Sequence, residues 1–146
     1  MNESFESAKV LLSTYKDHAS IVNGLWNIFQ IVALAIIGLI YKEEQFRQNV
    51  RLLLLVSVGF LAFAHGNRKA IMRSQDVIFS AASELRHLGA DHTIHKSLRS
   101  VLCAHRAPSS EDLTKGHWVF TTTVIAAIWA PWIITIARRK VVKAAE

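Results

Sequence analysis

The chain is short of the residues that make turns, with two prolines and six glycines among 146 residues. Turn-rich β proteins consume both residue types, so their scarcity argues against that class and favours long helices. Cys103 is the single cysteine, which excludes an intrachain disulfide and gives no sign of an oxidising compartment. Residues 1–20 carry acids and lack a compact apolar core before a small-residue cleavage site, so we expect no cleaved signal peptide.

Charged side chains are absent from the whole stretch 118–137. About 20 such residues is the length that an α-helix needs to cross a bilayer. Two further apolar runs precede it, so the sequence predicts an all-α, integral membrane helical bundle that forms one domain. We expect three membrane crossings at about 22–41, 50–66 and 118–137. We expect the first two helices to extend into a water-side helical bundle that includes the region 67–116.

Apolar residues near the N-terminus recur at alternating steps of three and four, the spacing of a helix that packs along a partner helix. The central members of this packing seam are Leu12, Tyr15, Val22, Trp26 and Phe29. Because the seam continues where the chain becomes apolar, it predicts one helix from about Glu3 to Tyr41. The alternative is two separate helices that break at Asn23-Gly24, a dipeptide typical of turns.

A polar stripe, which we call the amide stripe, follows another face of this helix and contains Asn23, Asn27 and Gln30. Amide side chains are unfavourable in lipid unless they are paired, so the amide stripe is expected to face protein or water. In one interpretation, Asn27 and Gln30 form hydrogen bonds between helices. In the other, the amide stripe lines a water-filled lumen.

The formal net charge is +6, but many of the basic residues flank the apolar runs, where they anchor helix ends to phosphate head groups. We therefore do not expect a nucleic-acid partner.

Three crossings place the N-terminus and the region 67–116 on one side of the membrane and the C-terminal tail on the other. Basic residues are almost evenly divided between the two sides. We expect the larger helical region to be cytoplasmic, because it is rich in histidine, contains Cys103 and follows no secretory signal.

Histidines are frequent between the second and third apolar runs. Glu84 and His87 lie three residues apart, as do His92 and His95, and this spacing lets two ligands on one helix share a metal ion. The chain has few acids to complete a two-metal site. We therefore expect these histidines, and His117 further on, to be polar or interfacial residues of the water-side bundle. We expect no cofactor.

Arg99 is followed six positions later by His105, with Cys103 between them. An arginine and a histidine at such spacing resemble the active motif of HEPN ribonucleases, in which a pair from each of two protomers meets at a dimer interface. The resemblance implies a catalytic role for Arg99 and His105. Ser100 departs from that family's pattern, which favours an amide or basic residue there. The sequence has no glycine-rich phosphate loop and no nucleophile elbow, so we do not expect an enzyme.

A second resemblance rests on Leu25 to Gln30, on Gly59-Phe60 and Gly66-Asn67, and on Ala70 with Arg73-Ser74-Gln75. These residues resemble small uncharacterised bacterial inner-membrane proteins, some of which are encoded beside phage-defence or CRISPR nucleases. The resemblance covers about the first half of the chain. It implies a bacterial inner-membrane location and a defence role as a membrane-disrupting effector or accessory.

The favoured interpretation is an oligomeric membrane protein that forms a pore or perturbs the bilayer. Repeating the chain around an axis lets one face of the first helix pack while the amide stripe lines a lumen or a polar contact. The alternative is a membrane-anchored adaptor that binds a soluble protein partner through the basic surface from Arg68 to Arg106. The region 67–116 has eight basic and five acidic residues, so its charge is modest. A small membrane enzyme is the third interpretation.

Overall fold

The computed structural model describes residues 2–90, 100 and 107–145. All the regular secondary structure in these residues is helical. In chain order they are α1 (Asn2–Lys42), α2 (Glu44–Gln48), α3 (Val50–Ala90) and α4 (Ser110–Ala145). The prediction of an all-α helical bundle is confirmed.

Helix α1 continues through Asn23-Gly24 without a break. The prediction of one long helix is therefore confirmed, and the alternative of two separate helices is wrong. Gly24 keeps a negative φ, and a Cβ added there would meet no neighbouring atom within 4 Å. Its place in the helix therefore does not depend on the conformational freedom of glycine.

Side-chain caps fix where α3 and α4 begin. Asn49 Oδ1 accepts hydrogen bonds from the backbone N–H groups of Arg51 at 3.0 Å and Leu52 at 3.4 Å. Ser109 Oγ accepts one from the N–H of Asp112 at 3.1 Å. These bonds satisfy N–H groups that have no carbonyl partner in the first turn of a helix.

Three of the helices are long and apolar enough to cross a membrane, over Phe5–Lys42, Val50–Gly89 and Ser110–Val141. Less than a third of the most apolar 18-residue window in each is buried within the chain. Such large apolar surfaces are unfavourable in water and suited to lipid. The chain is therefore a multi-pass membrane protein.

The helices contribute to two compact units. The first unit consists of Met1–Trp26 and Arg68–Lys115, and the second of Asn27–Asn67 and Gly116–Glu146. Each unit has its own packed interior, and the two interiors differ in composition. Aliphatic residues such as Ile71 and Leu85, both 0% exposed, fill the first, whereas the second is built around an aromatic residue, Phe29.

Candidate functional site

The amide stripe lies on the exposed surface of α1. Asn23 belongs to the first unit, whereas Asn27 and Gln30 belong to the second, and all three side chains are exposed. Within the part of the chain that the structure describes, their side chains form no hydrogen bond. The described part of the chain therefore does not satisfy these amides.

The surroundings of Asn27 and Gln30 are apolar. An α-helix advances 100° per residue, so the centre of this pair is about 130° around α1 from the buried Phe29. Ile31 and Leu34 lie on the same side of the helix, and they are 65% and 68% exposed. The two amides therefore interrupt a surface that is otherwise suited to lipid.

The packing seam lies on the inward side of α1. Four of its members belong to the first unit: Leu12, Tyr15, Val22 and Trp26. Val22 is buried against Ile71 and Ile78 of α3, and Tyr15 and Trp26 pack around the same cluster. Leu12 packs against a second cluster, closer to the N-terminus of α1. The seam and the amide stripe thus occupy different faces of one helix.

The remaining seam residue, Phe29, is the centre of an aromatic cluster in the second unit. Its ring centroid lies 5.7 Å from that of Phe60 and 6.0 Å from that of Phe63, both on α3. On α4, the His117 ring stacks on Phe29 at 4.4 Å with an interplanar angle of 15°, and the Phe120 ring is tilted at 5.2 Å. Phe29 is 0% exposed. All three long helices therefore meet at this one ring.

His117 differs from the expectation of a polar or interfacial histidine, since it is only 2% exposed. Its Nδ1 lies 3.4 Å from the hydroxyl of Thr121, which donates a hydrogen bond to the His117 carbonyl oxygen at 2.8 Å. A sequence signal for this burial exists, because the buried residues of α4 follow helical spacing: His117, Thr121, Val124, Ile128 and Pro131. The signal is weak because exposed apolar residues such as Val119 lie between them.

The threonine hydroxyls of α4 form hydrogen bonds within their own helix. The hydroxyls of Thr122 and Thr123 donate to backbone carbonyl oxygens of the preceding turn. Trp129 Nε1 donates to Ser57 Oγ on α3 at 3.1 Å. Hydroxyls bonded in this way are tolerated in an apolar surrounding. Helix α4 is therefore a packing helix. In the described part of the chain, exposed amides without such bonds lie on α1, and Asn67 Nδ2 of α3 is buried without one.

Of the candidate metal and catalytic residues, the structure describes only Glu84 and His87. Glu84 and His87 are exposed on α3, while His92, His95, Arg99 and His105 lie outside the described residues. Among residues 2–90, 100 and 107–145, no group of three histidine, cysteine or acidic side chains is placed to hold a metal ion.

Three long apolar helices contribute to two units, each with its own buried interior. They define an all-α, multi-pass membrane protein. No protein-family model, no curated protein and no solved structure matches the chain.

Proposed function

We propose that the protein is a homo-oligomeric membrane component that forms a pore or perturbs the bilayer. The observation that supports this proposal is the exposure of Asn27 and Gln30 without hydrogen bonds, on a helix that is apolar enough to cross a membrane. Lipid offers no hydrogen-bond partner, and burying an amide without one costs roughly 2–7 kcal/mol.

A second copy of the chain would supply the hydrogen-bond partners that these amides lack in lipid. Phe29 and its aromatic neighbours occupy the inward face of α1, and the amides lie on the exposed side of the helix. Copies arranged around an axis place Asn27 and Gln30 against each other or around water. Leu34 follows Gln30 on the same face and is 68% exposed. It would form an apolar constriction beside the amides, of a kind that gates by dewetting.

Dye release tests this proposal. Full-length protein reconstituted into phospholipid vesicles is expected to release an entrapped fluorescent dye and to give single-channel currents in planar bilayers. Empty vesicles carried through the same detergent removal provide the control. Absence of both leakage and current would contradict the pore and would favour the adaptor described below.

The proposed location is the bacterial inner membrane, with the region 67–116 in the cytoplasm and the C-terminal end of α4 outside. Cysteine labelling tests this orientation in a background that carries Cys103→Ser. A membrane-impermeant maleimide added to intact spheroplasts is expected to label Gln45→Cys, because the connection between α1 and α3 lies outside. It is expected to leave Ser110→Cys unlabelled until the membrane is opened. The reverse labelling pattern would reverse the orientation.

A defence role is the part of the proposal that comes from the resemblance around Leu25 to Gln30. We propose that membrane permeabilisation would then limit phage growth. Cells that express the protein are expected to show potassium loss after infection, and cells that express a leakage-deficient variant are not. Equal phage yields with and without the protein would remove the defence role and leave the pore unaffected.

The second candidate function is an adaptor for a soluble protein. It is favoured by apolar side chains that the first unit leaves exposed, namely Phe5 at 57%, Val10 at 63% and Phe79 at 53%. Exposed aromatic residues are common at protein interfaces. The vesicle experiment separates the two functions, because an adaptor releases no dye.

A further inference from the structure

A cavity of about 320 Å³ lies in the second unit, where the chain turns between α1 and α3. Tyr41 near the end of α1 and Arg47 of α2 line one side of it. Ile134, Thr135 and Arg138 of α4 line the other. We call this cavity the arginine pocket.

The two arginines of the arginine pocket have no carboxylate partner. In the described part of the chain, neither Arg47 nor Arg138 forms an ion pair. The acid in the lining, Glu44, accepts a hydrogen bond from Gln48 Nε2 at 2.7 Å. Arg47 Nε is buried and has no hydrogen-bond acceptor among the described residues. Leaving such a donor unsatisfied costs about 1–3 kcal/mol or more. The two guanidinium groups, which pair with no carboxylate in the described chain, make the pocket suited to an anion.

The arginine pocket also lies where apolar sequence gives way to polar sequence. The candidate spans end at Lys42, begin at Val50 and end at Val141, so all three pass from apolar to polar sequence close to this pocket. Tyrosine and arginine are typical of the interfacial layer of a membrane. Tyr41 and Ile134 are 50% and 49% exposed, which leaves apolar surface directly beside the guanidinium groups.

We propose that the arginine pocket binds the phosphate of an anionic phospholipid. Arg47 and Arg138 donate hydrogen bonds to the phosphate oxygens, for which the planar guanidinium group is well matched. The acyl chains then lie along the exposed side of α4 at Ile134. Free inorganic phosphate has the same charge chemistry, but it leaves this apolar surface uncovered.

Thermal unfolding of the full-length protein in a non-ionic detergent tests the proposal. Short-chain phosphatidylglycerol is expected to raise the Tm saturably by a few degrees, whereas phosphatidylcholine with the same acyl chains is not. The double variant Arg47→Gln/Arg138→Gln is expected to bind phosphatidylglycerol about tenfold more weakly. The matched control is Arg139→Gln/Lys140→Gln, which removes the same charge from two exposed neighbours that do not line the pocket, and it is expected to bind normally.

Native mass spectrometry of the unmodified protein gives a second readout that does not depend on how the variants fold. In an equimolar mixture of the two lipids, phosphatidylglycerol is expected to be retained preferentially. Equal retention of both lipids would overturn the proposal. So would an equal loss of binding in the control variant, which would indicate general charge attraction. Stabilisation by inorganic phosphate alone, to the same extent as by phosphatidylglycerol, would replace the lipid with a free anion.

Discussion

Replacing Asn27 and Gln30 together with leucine is expected to slow dye release about tenfold or more. In the proposed pore, each lost amide removes a hydrogen-bonding group from the path of water and ions, and a barrier increase of about 1.4 kcal/mol is enough for a tenfold change. The substitutions replace exposed side chains that form no hydrogen bond within the described chain, so the fold of the single chain is expected to remain intact. Vesicle leakage and helical content by circular dichroism are the measurements.

Gln45→Leu provides the matched control, because Gln45 is also an exposed amide but lies in α2, outside the candidate spans. Its leakage is expected to match that of the unmodified protein.

Size-exclusion chromatography separates the two roles of the amides. A variant that stays oligomeric without leaking indicates a lumen, whereas one that dissociates indicates hydrogen bonds between copies. Unchanged leakage by Asn27→Leu/Gln30→Leu would contradict both.

Phe29→Ala is expected to be the most destabilising single substitution in the second unit. The ring is 0% exposed and contacts aromatic rings on both α3 and α4. Removing a buried phenylalanine from a water-soluble core costs about 3–5 kcal/mol. We expect about 2–4 kcal/mol here, because lipid solvates apolar surface and mainly the packing contribution is lost. Thermal unfolding in detergent measures the change.

Ile31→Ala is the control for this substitution, since Ile31 is 65% exposed on the same helix. Its cost is expected to be below about 1 kcal/mol, as for other substitutions at exposed positions. A similar loss of stability in both variants would show that the aromatic cluster does not hold the three helices together.

The sequence predicted the long helices well because each depends on local properties. The alternating steps of three and four that continue from Tyr15 to Phe29 were enough to predict that α1 is unbroken, and its observed bounds, Asn2–Lys42, lie within a residue of those predicted. Few glycines or prolines interrupt the apolar runs, so the number of membrane helices followed from length and hydrophobicity alone.

The sequence was a poorer guide to which residues pack together in the interior, because that packing depends on the register between helices. The seam predicted that Phe29 packs inward, but not that His117, 88 positions later, stacks on its ring. Likewise, the arginine pocket combines α2 with the last turns of α4, and no spacing within either segment connects Arg47 to Arg138. Such contacts are a property of tertiary packing and leave little trace in a local pattern.

The central claim is that copies of the chain cover the exposed amides of α1. Single-particle imaging of the full-length protein in lipid nanodiscs tests it most directly. We expect a closed ring with rotational symmetry, an axial opening, and Asn27 and Gln30 facing the axis or a neighbouring copy. A monodisperse monomer, with both amides exposed to lipid, would contradict the claim.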